Sequence, residues 1–237
     1  MTQLKLQDER GFNQVFAPVG STLVRANRRN AWFVAQANRV KAKRILEIGS
    51  GTGEAAAYVA QHTTAEVVGV DISDSFLVHA NATHKAPNLR FEKLDLLGGN
   101  PLILGKFDMI YGNGILHHLV VQLESVLSIL RSMTQDGGGM AFIEPNLMNP
   151  YCAFIFGTRI GRKWARLEPD EMAFSAAGLR RRVLASGWRD VRIVTKDFLL
   201  PGVPSSLVKP TLAVEPALEA TPLTRWLAQS HFLTAGA

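Results

Sequence analysis

The chain has 237 residues, 47% hydrophobic and 19% charged, a globular composition that excludes wholesale disorder. A single cysteine, Cys152, excludes an intramolecular disulfide framework and a cysteine-rich zinc site. The net charge of +6 is uneven: residues 1–44 carry nine Lys/Arg against two Asp/Glu, 45–158 five against eleven, and 159–196 ten against four.

The N-terminal MTQLKLQDERG has no signal-peptide core, and no apolar run is long enough for a membrane span. Residues 21–40 read as a helix that Ser21 caps, with Trp32, Phe33, Ala37 and Val40 on its apolar faces. Ile45, Leu46 and Ile48 form a strand, a glycine turn follows, and 54–62 form a helix. VVGVD (67–71) is a second β-branched strand, and 74–83 a helix capped by Ser73 or Asp74. Residues 89–95 and 107–112 read as strands, and 120–133 as a helix carrying Leu123, Val126, Leu127 and Leu130. GGGMAFIEP (137–145) reads as a glycine turn entering a strand, and the segment 146–168 interrupts the rhythm. A helix from Ser175 to Ser186 stops at Gly187, a strand covers 188–194, and 201–222 is proline-rich with at most a short helix near 212–220. Residues 223–229 look helical, and His231–Ala235 could be a closing strand. Strands alternating with helices of this length predict an α/β domain with a mainly parallel sheet.

Gly49, Gly51 and Gly53 follow a strand and open a helix, where a tight turn lets the backbone approach a ligand. Asp71 ends the next strand, placed to accept hydrogen bonds from a ribose diol. Asp95 follows the third strand, within reach of an adenine edge. Glu47 lies two residues before the first glycine. A carboxylate there suits a cationic cofactor better than a pyrophosphate. The absence of GKS or GKT excludes a P-loop.

The stretches ILEIGSGTGEAAAYVA (45–60), VVGVDISDSFLVHA (67–80), FEKLDLL (91–97), FDMIYGNGILHHL (107–119) and GGGMAFIEPN (137–146) resemble the class I S-adenosylmethionine-dependent methyltransferases, in order and in register. The resemblance implies a Rossmann-like, mostly parallel seven-stranded sheet with helices on both faces and an antiparallel last strand. Residues 189–195 and 231–235 would then meet at one edge. It further implies S-adenosyl-L-methionine as cofactor. Glu47, Gly49, Gly51 and Gly53 would shape the methionine side, Asp71 hold the ribose, Ile72 pack on adenine, and Asp95 and Leu96 bracket the adenine edge. Asn113 would line the methionine end. Residues 1–42 would be an N-terminal helical cap and 43–237 the cofactor-binding domain, with 146–170 an insert over the active-site mouth.

His117 and His118 follow the fourth strand, where one of them, His117 placed first, could serve as a general base. No metal is demanded by the chemistry. The sequence YGNG lacks the prolines of loops that grip a flipped base or amide, which leaves a small-molecule or lipid-linked acceptor, with a hydroxyl oxygen as the expected nucleophile. Nitrogen or carbon acceptors, a non-catalytic or partner-activated cofactor-binding module, and a nicotinamide-dependent oxidoreductase are the alternatives. The insert mixes Phe154, Ile160 and Trp164 with Arg159, Arg162, Lys163 and Arg166, a composition suited to a hydrophobic acceptor, to peripheral contact with an anionic membrane, or to a homodimer. Nucleic acid is disfavoured, for no zinc-finger or RNP-like pattern is present. A cytoplasmic location is expected, with peripheral contact at the inner membrane face.

Overall fold

β-branched and apolar runs become strands covered on both faces. The computed structural model describes residues 5–7, 14–16 and 20–237. A short antiparallel pair, β1 (Lys5–Gln7) and β2 (Gln14–Phe16), precedes helix α1 (Ser21–Arg39). Then come β3 (Arg44–Ile48), α2 (Glu54–Gln61), β4 (Glu66–Asp71), α3 (Asp74–Thr83), β5 (Leu89–Lys93) and β6 (Phe107–Asn113). Helix α4 (Leu123–Ser132) leads to β7 (Thr134–Pro145), which is followed by α5 (Pro150–Gly157), α6 (Arg159–Ala165) and α7 (Ala176–Ala185). The chain closes with β8 (Arg189–Lys196), α8 (Ser205–Ala220), α9 (Pro222–Arg225) and β9 (Ser230–Gly236).

Seven strands form one sheet in the order β5-β4-β3-β6-β7-β9-β8. The pairs from β5 to β7 are parallel, and β9 runs antiparallel to both β7 and β8. The expected mostly parallel sheet with an antiparallel last strand is therefore present. Successive side chains of a strand point to opposite faces. Ile45, Val67, Met109, Tyr111 and Ala141 enter the core with Phe33 and Ala37 of α1 and Ala56, Val59 and Ala60 of α2. Leu46, Val68, Ile110 and Phe142 enter the other, with Leu123, Val126, Leu127 and Leu130 of α4 and Leu179 and Val183 of α7. Burial on both faces explains why these strands read as near-continuous apolar runs.

Several local expectations change. Gly20, not Ser21, is the N-cap of α1, and no side chain caps that end. Ser73 caps α3 by accepting from the Phe76 N–H. The glycines at 137–139 lie within β7, where the register shifts between Phe107 and Met109, so the extra residues bulge out of the strand instead of preceding it. The proline-rich tail forms α8, a 16-residue helix with Pro210 and Pro216 inside it. Each proline removes a helical N–H, but tertiary contacts hold the segment. Glu215 accepts from the Phe198 N–H at 2.8 Å and pairs with Arg28, and Glu219 accepts from the Asp197 N–H at 2.8 Å. The expected helix at 223–229 is only the single turn α9. Among the described residues no helix is long and apolar enough to cross a membrane.

On β9, His231 is 2% exposed. Burial lowers it from 6.5 to about 4, opposed by the Phe174 carbonyl and Glu144. Between those two values the unfolded chain binds the extra proton, so stability falls as pH falls across that window. At full expression the loss is roughly 3 kcal/mol. Urea midpoints between pH 7 and pH 4.5 should drop in the wild type and drop less in His231→Gln. Equal slopes would remove His231 as the cause.

Candidate functional site

Strand order reverses between β3 and β6, and ligands of open α/β sheets bind beyond the strand ends at such a point. A cavity of about 640 Å³ lies there. Its floor is the turn from Glu47 to Thr52, its sides are Asp71–Ile72 and Leu94–Leu97, and Asn113–Ile115, His118 and α1 close it.

Gly49 and Gly53 have φ of +64° and +90°, and a Cβ at either would sit 2.6 Å from the side chain of Ile115 or Phe91. Only glycine holds this turn without displacing its neighbours. The turn docks on the end of β4: Asp71 Oδ2 accepts from the Gly51 N–H at 2.8 Å and Oδ1 from the Ser73 N–H at 2.9 Å. Both carboxylate oxygens keep lone pairs for a ligand. Ile72 is 46% exposed on the same wall, beside Leu96. Asp95 accepts from the Leu97 N–H at 2.9 Å, which orders the loop at that end.

Glu47 points to the α1 and α2 side of the sheet and is 3% exposed. Burial pushes its carboxyl well above the ordinary range, with the Tyr111 hydroxyl opposing. Neither Glu47 Oε2 nor the Tyr111 hydroxyl makes a hydrogen bond of ordinary geometry, and Ser50 Oγ is likewise buried without one. A buried acid with an unsatisfied oxygen beside a cavity fits a cationic or hydrogen-donating ligand group.

The opposite wall is α1, part of the expected N-terminal cap, but the residues it presents, Arg25 and Arg29, are not ones the sequence singles out. Arg25, Arg29, Phe33 and Ala37 follow one i, i+4 row of α1. Its C-terminal half packs on the sheet, Phe33 against Tyr111 at 4.6 Å between ring centroids, while Arg25 and Arg29 line the cavity. Both guanidiniums share Asp197: Arg25 Nε lies 3.1 Å and a terminal nitrogen of Arg29 2.8 Å from Oδ2. Burial, and then Arg29 beside it, lowers Arg25 to about 9. Burial alone would raise Asp197, but Arg29 and Arg25 hold it below the ordinary carboxylate range. Arg28 also lies 3.8 Å from Asp197 and pairs with Glu215, so three cations against two anions leave positive charge at this end, where Arg29 also donates to Asn113 Oδ1 at 3.1 Å. The i, i+4 spacing of Arg25 and Arg29 with Phe33 was the available sequence signal.

The two histidines lie on a single 3₁₀ turn, not on a regular helix, so both rings reach one carboxylate. His118 lines the cavity and His117 does not. His117 Nδ1 is 3.0 Å from Glu144 Oε2, and His118 Nδ1 is 3.2 Å from Glu171 Oε1. Burial works against protonating His118, but Glu171, with Glu144 and Glu168 behind it, raises it above the ordinary histidine value. Burial would raise Glu171, and His118 overrules that to lower it. Glu171 was not singled out in the sequence because it is distant along the chain, in the stretch after the insert.

Among the described residues none of 146–170 lines the cavity. Helices α5 and α6 carry a small core of their own around Cys152, Ile155 and Phe156. Arg162 turns inward and donates to the carbonyls of Phe156, Glu168, Pro169 and Glu171, which fixes the loop bearing Glu171. Phe154, Ile160 and Trp164 are exposed.

Residues 46–140 match the model of a methyltransferase-domain family. A trans-aconitate 2-methyltransferase of Deinococcus radiodurans is 40% identical over 76 residues, which are 32% of this chain and 28% of that protein. The match thus spans just over a quarter of that relative's length. Among solved structures, a candidate O-methyltransferase of Nostoc punctiforme aligns with a TM-score of 0.62 at 15% identity, over 91% of this chain and 58% of that one. The magnesium protoporphyrin IX methyltransferase of Synechocystis, solved with bound SAH, aligns with a TM-score of 0.56 at 17% identity, over 91% and 83%. At these identities the structural likeness concerns the fold.

Proposed function

We propose, from a chain that carries a class I S-adenosylmethionine-dependent methyltransferase domain, that this protein transfers a methyl group from S-adenosylmethionine to an oxygen of a small-molecule acceptor. One observation carries the reading: Asp71 and the acidic Glu47 line one cavity across the glycine turn, with Arg25 and Arg29 opposite. Asp71 takes the ribose hydroxyls. Ile72 and Leu96 flank the adenine, with Asp95 at its edge. Glu47 and Asn113 face the cationic part of the amino-acid end, and Arg25 and Arg29 face its carboxylate.

S-adenosylmethionine, when bound, supplies a methyl group activated by a sulfonium. The chain's own work is to align the acceptor with that methyl and to exclude water. His118 marks the acceptor end. A hydroxyl nucleophile must give up its proton there, and His118 with Glu171 are the titratable groups at hand. The Deinococcus relative is named for a small carboxylic acid acceptor, which supports an oxygen nucleophile. The exposed Phe154, Ile160 and Trp164, with Arg159 and Lys163 between them, favour an acceptor that carries a lipid or sits at an anionic surface.

S-adenosylmethionine and S-adenosylhomocysteine should each raise the melting temperature by several degrees at 1 mM, whereas NAD should not. Radiolabelled methyl should then pass to members of a panel of hydroxy and carboxylic acids, with and without lipid tails. Stabilisation by NAD alone would sink the donor assignment, and label transfer confined to amines would sink the oxygen acceptor. Failure of vesicles rich in anionic lipid to retain the protein in low salt would remove the surface reading.

A further inference from the structure

We propose that His117, His118 and Glu171 form a binding site for one divalent transition-metal ion at the rim of the cavity. Three features carry this. The donor atoms converge: one ligand atom from each residue lies within 4.8 Å of the others. His117 Nε2 is 3.9 Å from Glu171 Oε2, and His118 Nδ1 is 3.2 Å from Glu171 Oε1. Two ligands of a tetrahedral ion, each about 2.1 Å from it, lie roughly 3.4 Å apart, so small side-chain movements suffice.

His117 is also oriented as a metal ligand would be. Glu144 already accepts from the backbone N–H groups of Ile115, Leu116 and His117, so its carboxylate acts as an acceptor toward the ring as well. Nδ1 is thus the ring nitrogen turned to Glu144, and Nε2 is the one turned toward Glu171. Metal-binding histidines almost always give their other N–H to such a partner.

His118 Nδ1, finally, is buried without a hydrogen bond of ordinary geometry, although Glu171 stands at ion-pair distance. Glu171 itself is 3% exposed. The segment that carries it is fixed by the Met172 N–H on the His117 carbonyl at 3.2 Å and by Arg162. A rigid, dry carboxylate facing two imidazoles is a set that suits zinc, iron(II), manganese or cobalt. Three protein ligands leave an open position. His118 borders the cavity, so an acceptor oxygen that took this position would be acidified by the ion, which would then replace proton uptake by His118 and Glu171, whose lone pairs the metal occupies. This last role rests on the methyl-transfer reading, whereas the binding of the ion does not.

The test uses the full chain, stripped with a chelator and titrated calorimetrically with Zn²⁺, Mn²⁺ and Co²⁺. One equivalent of at least one ion should bind at micromolar Kd or tighter and raise the melting temperature. Co²⁺ should give a visible absorption band typical of nitrogen and oxygen ligands. Glu171→Gln and His118→Gln should weaken binding at least 100-fold while their metal-free melting curves remain cooperative. No saturable binding of any of the three ions, or binding unchanged in both variants, overturns the site. S-adenosylhomocysteine titrated into the same stripped protein reports the donor pocket separately, so that failure of the donor reading is seen as lost nucleoside binding with metal binding intact.

Discussion

Replacing Asp71 with alanine is expected to weaken S-adenosylhomocysteine binding by at least 100-fold. The carboxylate has two tasks. It holds the glycine turn through the Gly51 N–H and the start of α3 through the Ser73 N–H, and its remaining lone pairs face the cavity. Hydrogen bonds to a charged group contribute about 1.5–3 kcal/mol each, and two to a ribose diol exceed the 2.7 kcal/mol or so that corresponds to 100-fold. Asp71→Asn separates the tasks. Its single carbonyl oxygen can serve one backbone N–H but cannot accept from the whole set, so the turn should persist in part while affinity still falls more than tenfold. Calorimetric titration reads the affinity, and melting curves read the turn. A wild-type-like affinity in Asp71→Ala would mean that the sugar lies elsewhere.

Asp197→Ala should destabilise the fold by about 3–5 kcal/mol, the usual effect of removing one partner from a buried charged set. Asp197 is 4% exposed and serves Arg25 and Arg29 together. Its removal leaves two adjacent guanidiniums in a wall where Arg25 is already lowered to about 9. The residue also has a φ of +81°, a conformation that Asp and Asn tolerate better than alanine. Asp197→Asn therefore keeps the backbone and loses only the charge, and its deficit should be smaller. Urea unfolding at pH 7 measures both. A loss under about 1 kcal/mol in Asp197→Ala would show that the arginines are held by packing along α1 and not by this carboxylate.

The sheet was legible because β3 and β4 are short apolar runs, β5 alternates, and helical spacing is clear in α2, α3, α4 and α7 between them. The glycine turn was legible for a physical reason: three glycines between a strand and a helix have few other uses. What stayed hidden depends on distant partners. Arg25 and Arg29 read as part of a solvated basic stretch until Asp197 and Gln229 were seen beside them. Local propensity argued against α8, whose two prolines are overruled by the ties of Glu215 and Glu219 to the residues after β8. The histidine pair was visible, but not its geometry. A 3₁₀ turn, and a glutamate far along the chain, bring both rings to one point.

A crystal structure of the full chain with S-adenosylhomocysteine tests the central claim most directly. The account predicts the ribose hydroxyls within hydrogen-bond distance of Asp71, the adenine between Ile72 and Leu96, and the amino-acid end between Glu47 and Arg29. A nucleoside bound outside this cavity, or a homocysteine end turned away from both Glu47 and Arg29, would contradict it.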